Sequence, residues 1–208
     1  MDPRIWSSEP PADTAPPSRL PSRGPQERYE LNGTLGRGGV AVVHAATDLV
    51  SGHKVALKRL RAQDDPALQQ RVVELFEREF HTLSQLEHPN IVTVHDYGID
   101  AEGPYYTMEL VEGGDLQQLA PLPWRKVCAI ARDVCSALSL LHSRRLVHRD
   151  ISPRNVRCDH EGRAKLLDFG ALAPFGANKF LVGTPACCAP ESVNLQPLDG
   201  RADLYGLG

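Results

Sequence analysis

The sequence predicts an α+β fold with two lobes, in which a small antiparallel sheet with one helix precedes a mainly helical lobe. Two observations support this prediction. Short runs of β-forming residues, separated by turn residues, recur within residues 29–60 and 91–110. A long amphipathic segment then covers residues 124–142. With 208 residues, of which 41% are hydrophobic, the chain is long enough for two small lobes and a buried core.

The start of the first lobe is predicted from turn residues and strand-forming runs. Residues 1–28 are rich in proline and serine and have almost no apolar periodicity, so we expect a disordered tail. Three strands are predicted at residues 29–35, 40–46 and 54–60, with a turn at residues 48–52. These strands fit an antiparallel meander.

A helix is predicted to begin at Pro66 and to end before residues 88–90, His-Pro-Asn. Its apolar residues recur at steps of three and four and are Val72, Leu75, Phe76, Phe80, Leu83 and Leu86. Glu79 lies at the edge of this apolar face. A carboxylate in that position needs a cationic partner, because an unpaired charge is costly to bury.

Two further strands, at residues 91–97 and 105–110, complete the predicted sheet. A Glu-Gly-Gly turn at residues 112–114 follows, where the two lobes would meet. The helix of residues 124–142 opens the second lobe, with one apolar side formed by Val127, Ile130, Ala131, Val134, Leu138 and Leu141. A small hairpin at residues 156–167 then ends directly before Asp168.

Composition excludes several classes of protein. The net charge of -3 and the pI near 6.2 give no basic surface for nucleic acid or an anionic membrane. No stretch approaches the length of a membrane span and no signal peptide is recognisable, so we expect a cytoplasmic protein. The five cysteines have neither zinc spacing nor the density of a disulfide scaffold, and we expect reduced thiols that mostly pack in the interior.

The glycine-rich loop, residues 35–43, is the first candidate for a site. It reads Leu-Gly-Arg-Gly-Gly-Val-Ala-Val-Val and lies between two predicted strands. Gly36 and Gly38 let backbone N–H groups approach phosphate oxygens, and Val43 can cover a base. A plain tight hairpin explains the loop at least equally well.

Lys58 is the second candidate. Strand alternation points Ala56 and Lys58 to the same face, where Ala56 is small enough to admit a base and Lys58 can reach phosphates. A lone lysine on a strand is usually solvated. Here Glu79 is a predicted partner, so each of the two charged residues explains the other.

The strongest signal is the catalytic loop, residues 148–155, with the sequence His-Arg-Asp-Ile-Ser-Pro-Arg-Asn. Asp-Phe-Gly at residues 168–170 and Ala-Pro-Glu at residues 189–191 follow it. With the glycine-rich loop and the lysine strand, these motifs resemble the signature set of protein kinases. The resemblance runs from about Tyr29 to Gly208 and is strongest to bacterial kinases of the eukaryotic-like Ser/Thr type.

The resemblance implies a bilobal kinase fold, with the N-lobe and hinge in residues 29–111 and an incomplete C-lobe in residues 112–208. It also implies ATP and Mg²⁺ as cofactors and a protein as substrate. Asp150 would accept or orient the proton of the substrate hydroxyl, while Asn155 and Asp168 would bind Mg²⁺. Lys58, braced by Glu79, would hold the α- and β-phosphates.

The nucleotide pocket is implied in the same way. Met108 would precede the hinge, residues 109–111, whose backbone would bind adenine, and Asp115 would lie near the ribose. The residues expected to bind ATP are Leu35, Gly36, Gly38, Val43, Ala56, Lys58, Met108, Glu109, Val111 and Asp115. A hydrophobic column between the lobes would contain Val94, Leu83, Phe169 and His148, anchored by Asp203. His148 is therefore expected to be a packed histidine rather than a base.

Three positions depart from the family pattern. Ala41 replaces a glycine that is frequent in kinases, which should only stiffen the glycine-rich loop. Ser152 stands where Ser/Thr kinases usually have a lysine near the transferred phosphate, so we expect lower activity. Arg157 stands where an aliphatic side chain normally forms the floor of the adenine pocket, and its methylene stem could substitute for that side chain.

The activation segment, residues 168–191, also departs from the pattern. Residues 171–182 contain no Ser, Thr or Tyr, and Arg149 therefore lacks its usual phosphate partner there. Thr184, in Gly-Thr-Pro, resembles the residue that contacts the catalytic loop in Ser/Thr kinases. We therefore predict that activation does not depend on phosphorylation of this segment.

Residues 203–208 resemble the start of the helix on which a kinase C-lobe is assembled. We expect apolar surface there that a partner chain could cover. The function predicted from the sequence is transfer of the ATP γ-phosphoryl group to Ser or Thr of a protein. The alternative is a weak or inactive nucleotide-binding or scaffolding module, and a small-molecule kinase is disfavoured by the Gly-Thr-Pro and Ala-Pro-Glu motifs.

Overall fold

The computed structural model describes residues 28–208, so the predicted tail lies outside the described residues except for Arg28. The strands are β1 (Tyr29–Arg37), β2 (Ala41–Asp48), β3 (Lys54–Leu60), β4 (Val94–Asp100), β5 (Gly103–Glu109), β6 (Leu146–Val147), β7 (Val156–Cys158), β8 (Ala164–Leu166) and β9 (Ala173–Pro174). The helices are α1 (Pro66–Leu83), α2 (Leu116–Leu119), α3 (Trp124–Ser143), α4 (Pro190–Val193) and α5 (Arg201–Leu207), with a 3-10 turn at Pro185–Cys187.

The first lobe is a five-stranded antiparallel sheet in the order β1-β2-β3-β5-β4. Register brings Val43 opposite Lys58 and Ala56 opposite Met108. Paired residues share a face of the sheet, so the side chains of these four residues lie on one face. The predicted α+β fold with an antiparallel first lobe is therefore confirmed.

The fourth strand begins later than its sequence predicts. Residues 91–97 were expected to form it, but β4 begins at Val94. Ile91 instead forms a parallel bridge with Leu166, and the Val92 N–H donates to the Leu166 carbonyl at 3.1 Å. The first residues of this apolar run therefore join the β-hairpin of the second lobe, a long-range pairing that local patterning does not reveal.

Helix α1 begins as predicted, with Pro66 in its first turn and the Asp65 side chain accepting from the Ala67 N–H at 2.9 Å. Its inward face buries Val72, Phe76, Glu79 and Leu83. The expected burial of Leu75 is wrong, because this side chain lies on the outer side of the helix and is half exposed. The helix also ends earlier than predicted, at Leu83, where Ser84 caps it by donating its N–H to the Phe80 carbonyl.

Helix α3 crosses the second lobe and buries four of the predicted apolar residues, Ile130, Val134, Leu138 and Leu141. Val127 was expected to be buried but is about half exposed, in the first turn of the helix. Further along, α3 contacts the β7–β8 hairpin. That contact is marked by Asp133, a buried carboxylate that accepts from the Ala164 N–H at 3.1 Å. The sequence pattern did not identify Asp133.

One hydrophobic cluster extends through both lobes. It contains Ala56 and Tyr106 of the sheet, Leu83 of α1, Leu138 of α3 and Phe169. Val94 packs against this cluster, and the His148 ring meets the Phe169 ring edge-on at 4.8 Å. The expected hydrophobic column is therefore continuous from the sheet to the catalytic loop.

The cysteines are free thiols, but they pack less than expected. Cys158 is buried, whereas Cys128 and Cys135 are exposed on α3. Burial raises the pKa of the Cys188 thiol, which donates weakly to the Thr184 carbonyl at 3.4 Å. A raised pKa makes a thiolate scarce at neutral pH, so Cys188 lacks the character of a reactive cysteine.

Within residues 28–208, none of the helices combines the length and apolar character that crossing a bilayer requires.

Candidate active site

Lys58 lies where the sheet, helix α1 and the activation segment meet. Its Nζ donates to Glu79 Oε1 at 2.8 Å and Oε2 at 3.0 Å, and to Asp168 Oδ1 at 3.1 Å. The Glu79 side chain is 4% exposed and that of Lys58 12%. Glu79 therefore has the cationic partner that its position on α1 predicts, and the Lys58 ion pair joins three separate elements.

The charges of this junction stabilise one another. Burial opposes the charge of Lys58, but the nearby carboxylates of Glu79 and Asp168 hold its pKa well above the usual value. The Lys58 ammonium in turn lowers the pKa of Asp168. Both side chains are therefore ionised at neutral pH.

Tyr106 is a fourth member of the junction that sequence reasoning missed. It lies opposite Lys58 in the β3–β5 register, and its hydroxyl donates to Glu79 Oε1 at 3.0 Å. Burial raises the pKa of Tyr106, so the hydroxyl keeps its proton. A tyrosine in a strand gives no sign of this contact unless the register of the two strands is known.

The Asp150 carboxylate is held by hydrogen bonds from two sides. Oδ1 accepts from the N–H and the hydroxyl of Thr184, both at 2.8 Å. Oδ2 accepts from Asn155 Nδ2 at 2.8 Å, and the same amide donates to the Asp150 carbonyl at 2.9 Å. The expected contact between Thr184 and the catalytic loop is therefore present, and the orientation of Asp150 is fixed before any substrate binds.

Asp203 anchors the catalytic loop from below. It is 1% exposed, and its carboxylate accepts from the backbone N–H groups of His148 and Arg149, both at 2.9 Å. His142 Nε2 lies 2.9 Å from the same carboxylate. These contacts tie α3, α5 and the catalytic loop together, so the loop geometry depends on one buried acidic residue.

His148 is a packed histidine, as expected. Its Nδ1 accepts from the Asp150 N–H at 3.3 Å, and its Nε2 lies 3.1 Å from the Leu167 carbonyl. Because a carbonyl only accepts, Nε2 carries a proton in this arrangement. The imidazole thus positions the loop and has no free nitrogen for proton transfer.

The glycine-rich loop and the hinge present backbone groups to the cleft. Cβ atoms built at Gly36 and Gly39 would have nothing within 4 Å, so the loop leaves open space, while the Gly38 N–H donates to the Ala41 carbonyl at 2.8 Å. In the hinge, Val111 is 6% exposed, yet its N–H donates to no other group of residues 28–208. A buried N–H without an acceptor is uncommon and favours a ligand that supplies one.

The positions of three other residues predicted to bind nucleotide, Asp115, Glu109 and Leu35, say less about a ligand. Asp115 is the N-cap of α2, where its Oδ1 accepts from the Gln118 N–H at 2.9 Å. Glu109 directs its carboxylate to the Thr93 N–H and to Lys165 Nζ, at 2.8 and 2.7 Å. Leu35, at the end of β1, is 43% exposed. The Lys165 contact with the hinge was not predicted from the sequence.

The acidic and amide groups of the cleft suit a cation that is shared with a ligand. Both hydrogen bonds of the Asn155 amide come from Nδ2, so its Oδ1 remains free, and the Asp168 side chain is 51% exposed. No group of three or more His, Cys, Asp or Glu side chains able to hold a metal occurs in residues 28–208. This donor set fits Mg²⁺, which is usually bound by one or two protein ligands together with phosphates and water.

Two of the departures from the family pattern have structural consequences. Ser152 is 4% exposed, and its hydroxyl has no hydrogen-bond partner within the described part of the chain. Arg157 reaches the hinge, where its Nε donates to the Val111 carbonyl at 3.0 Å. Ser152 therefore supplies no cation in place of lysine, whereas Arg157 brings a cation to the hinge.

The activation segment is held by contacts that involve no phosphate. Arg149 Nε donates to the Ala171 carbonyl, and the Asn178 amide donates to the Ser192 carbonyl at 3.1 Å. The Arg71 guanidinium of α1 lies 5.6 Å from the Phe180 ring centroid, within the range of a cation–π contact. Gly183 has φ +102°, and a Cβ there would strike the Arg149 carbonyl. The segment can therefore approach the catalytic loop closely only because residue 183 is glycine.

Comparison with known proteins identifies relatives of the whole two-lobed region. Residues 29–208 match the family model described as the protein kinase domain. A probable serine/threonine-protein kinase of Corynebacterium efficiens is 36% identical over 88% of this chain. The DNA damage-responsive serine/threonine-protein kinase RqkA of Deinococcus radiodurans is 38% identical over 87% of it, and the serine/threonine-protein kinase PknB of Mycolicibacterium smegmatis 36% identical over 88%.

These relatives are much longer than the chain. The matched regions cover 30% of the Corynebacterium protein, 28% of the Deinococcus protein and 31% of the Mycolicibacterium protein. The chain thus spans less than a third of the length of these curated relatives. The match concerns one domain and leaves the rest of each relative without a counterpart here.

The anchoring role of Asp203 predicts a large effect on stability. Asp203→Asn replaces one acceptor oxygen by a donor, so at least one buried N–H loses its acceptor. We expect the free energy of unfolding to fall by about 1–3 kcal/mol, as measured by urea denaturation. Asp64→Asn is the matched control, because Asp64 is exposed, and it should change stability by less than about 0.5 kcal/mol. Equal effects of the two substitutions would contradict the anchoring role.

Proposed function

Since the chain belongs to the protein kinase domain family, we propose that it transfers the γ-phosphoryl group of ATP to a serine or threonine hydroxyl of a protein. The observation that carries the proposal is the position of Lys58 Nζ between Glu79 and Asp168. Protein kinases require such a lysine–glutamate pair, together with an acidic ligand for Mg²⁺, before phosphoryl transfer can occur. The relatives are named as serine/threonine-protein kinases, which supports the same substrate class.

In this proposal the nucleotide binds between the lobes. The free N–H of Val111 donates to the base, Ala56 and Met108 line the base pocket, and the glycine-rich loop covers the phosphates. Lys58 holds the α- and β-phosphates through its charge. Asn155 and Asp168 would hold Mg²⁺, which would supply positive charge beside the phosphates.

Asp150 acts on the acceptor hydroxyl. The hydroxyl oxygen of the substrate attacks the γ-phosphorus, the bond from that phosphorus to the β–γ bridging oxygen breaks, and ADP leaves. Asp150 orients the hydroxyl and accepts its proton, while Asn155 and Thr184 keep the carboxylate in position. Because Ser152 supplies no positive charge near the transferred group, the rate is expected to be lower than in kinases with lysine there.

The second candidate is a nucleotide-binding module that transfers phosphate poorly or not at all. The buried, unpartnered hydroxyl of Ser152 favours it, since that position lacks a cation. Binding of Mg·ATP without transfer to any protein would select this alternative. The intact Lys58–Glu79 pair and the fixed Asp150 carboxylate favour the active enzyme.

The finer assignments belong to the same proposal. Residues 29–111 act as N-lobe and hinge, residues 112–208 as the C-lobe with the catalytic loop and activation segment, and the substrate is a protein. We propose a cytoplasmic location, because the reaction consumes ATP.

The role of Asp150 predicts a loss of turnover without a loss of nucleotide binding. Asp150→Asn keeps the shape of the side chain but removes its charge and basicity, and we expect kcat to fall by about 10²-fold or more. Radiolabel transfer to a general protein substrate measures turnover, and calorimetry measures Mg·ATP affinity. Asp199→Asn, which changes a partly exposed aspartate paired with Arg201 beside α5, serves as the control. Undiminished transfer by Asp150→Asn would refute the assignment.

The activation segment predicts activity without phosphorylation. Thr184 donates its hydroxyl to Asp150, so a phosphate on Thr184 would bring negative charge against that carboxylate. We expect transfer activity to be unchanged after phosphatase treatment, with the remaining phosphosites mapped by mass spectrometry. Loss of activity on removal of a phosphate from Thr184 would show that this prediction is wrong.

A further inference from the structure

Arg157 differs from the other cations around the cleft in its position on strand β7. Val156 and Cys158, on either side of it, are each 2% exposed and belong to the hydrophobic cluster. Because side chains alternate along a strand, Arg157 points away from that cluster. Its Nε–H reaches the Val111 carbonyl of the hinge, on the opposite side of the strand from the core.

The chain after the hinge is held directly against β7. The Cys158 N–H donates to the Gly114 carbonyl at 2.9 Å, and Asp115 forms an antiparallel bridge with Arg157. A Cβ on Gly113 would strike the Cys158 carbonyl, so only glycine permits this close approach. Strand β7 is therefore fixed beneath the hinge, and Arg157 is fixed with it.

Most of the donor capacity of Arg157 remains unused. A guanidinium has five N–H donors, and only Nε–H has an acceptor within residues 28–208. No carboxylate pairs with Arg157 in the described part of the chain, whereas its cross-strand neighbour Lys165 is paired with Glu109. The two terminal nitrogens are absent from the buried, unpartnered side-chain atoms of residues 28–208, so they retain some contact with solvent.

The free N–H donor and the carbonyl that holds Arg157 belong to the same residue, Val111. The Val111 N–H has no acceptor in the described chain, while the Val111 carbonyl is occupied by Arg157. A base that accepts from the Val111 N–H would bind the same hinge residue that holds the Arg157 guanidinium. A planar guanidinium at the face of an aromatic ring is attracted to its π-electrons, and its tether to the hinge lowers the entropy lost on binding.

We propose that Arg157 is an affinity- and specificity-determining residue of the nucleotide site, which binds the face of the nucleobase through its guanidinium while holding the hinge through the Val111 carbonyl. This inference rests on the proposed nucleotide-binding function and deepens it. It differs from the expectation that only the methylene stem of Arg157 fills the pocket floor. On that expectation an uncharged side chain of similar length would serve equally well.

The test measures the binding of two ligands to the chain, each in the presence of Mg²⁺. One ligand is ATP, and the other is inorganic tripolyphosphate, which lacks the nucleobase. Arg157→Met keeps an unbranched stem and removes the guanidinium. We expect its Kd for ATP to rise by about 3- to 30-fold, as calorimetry measures it, because a desolvated cation–π contact is lost. Its Kd for tripolyphosphate should stay unchanged. Arg157→Lys, which keeps the charge but not the planar fork, should lie between Arg157→Met and the wild type for ATP.

Arg163→Met is the matched control, because it removes the same charge from the exposed turn of the same hairpin. It should leave both Kd values unchanged. An affinity of Arg157→Met for ATP that equals or exceeds that of the wild type would overturn the proposal. An equal loss of affinity for ATP and for tripolyphosphate would also overturn it, because it would show that Arg157 acts on the phosphates. If Arg157→Met does not fold, ATP binding by Arg157→Lys at the wild-type level overturns it.

The outcome separates this inference from the proposed phosphoryl transfer. A wild-type chain that binds ATP in an Arg157-dependent way but labels no protein would contradict the transfer activity and support the inference. A wild-type chain that transfers phosphate, together with an Arg157→Met variant that binds ATP normally, would support the transfer activity and contradict the inference. A wild-type chain that binds no ATP would overturn both.

Discussion

The ion pair between Lys58 and Glu79 is the contact on which the site depends, because together with the Asp168 contact it joins three separate parts of the chain at one point. Lys58 belongs to the sheet, Glu79 to α1, and Asp168, which also binds Lys58, to the activation segment. A buried ion pair is a weak source of stability, since desolvation offsets most of the attraction. Its value here is geometric, because each charge is satisfied only when all three elements are in register.

The catalytic loop is likewise held in place by one buried carboxylate, that of Asp203. Asp203 accepts the backbone N–H groups of His148 and Arg149, and this fixes the loop that carries Asp150. Thr184 then joins the activation segment to Asp150. Two buried carboxylates, Glu79 and Asp203, thus organise the two sides of the cleft, and the hydrophobic cluster between them keeps the two sides together.

Local pattern and motif spacing were enough to predict the fold class, the start of α1 at Pro66 and the charged partner of Glu79. They could not reveal contacts that depend on tertiary register. Tyr106 meets Glu79 only because β5 pairs with β3 in one particular register, and Ile91 leaves the predicted strand to pair with Leu166. The bond from Arg157 to the hinge carbonyl likewise depends on how β7 lies beneath the hinge, which no sequence periodicity encodes.

The most direct test of this account is a double-mutant cycle across Lys58 and Glu79, with Mg·ATP affinity as the readout and urea denaturation as the check on folding. If Glu79 acts by positioning Lys58, Glu79→Gln should weaken binding by about tenfold when Lys58 is present, within the range of coupling between contacting residues. In the Lys58→Met background, Glu79→Gln should have no further effect. Equal losses in both backgrounds would show that Glu79 acts independently of Lys58 and would contradict the account.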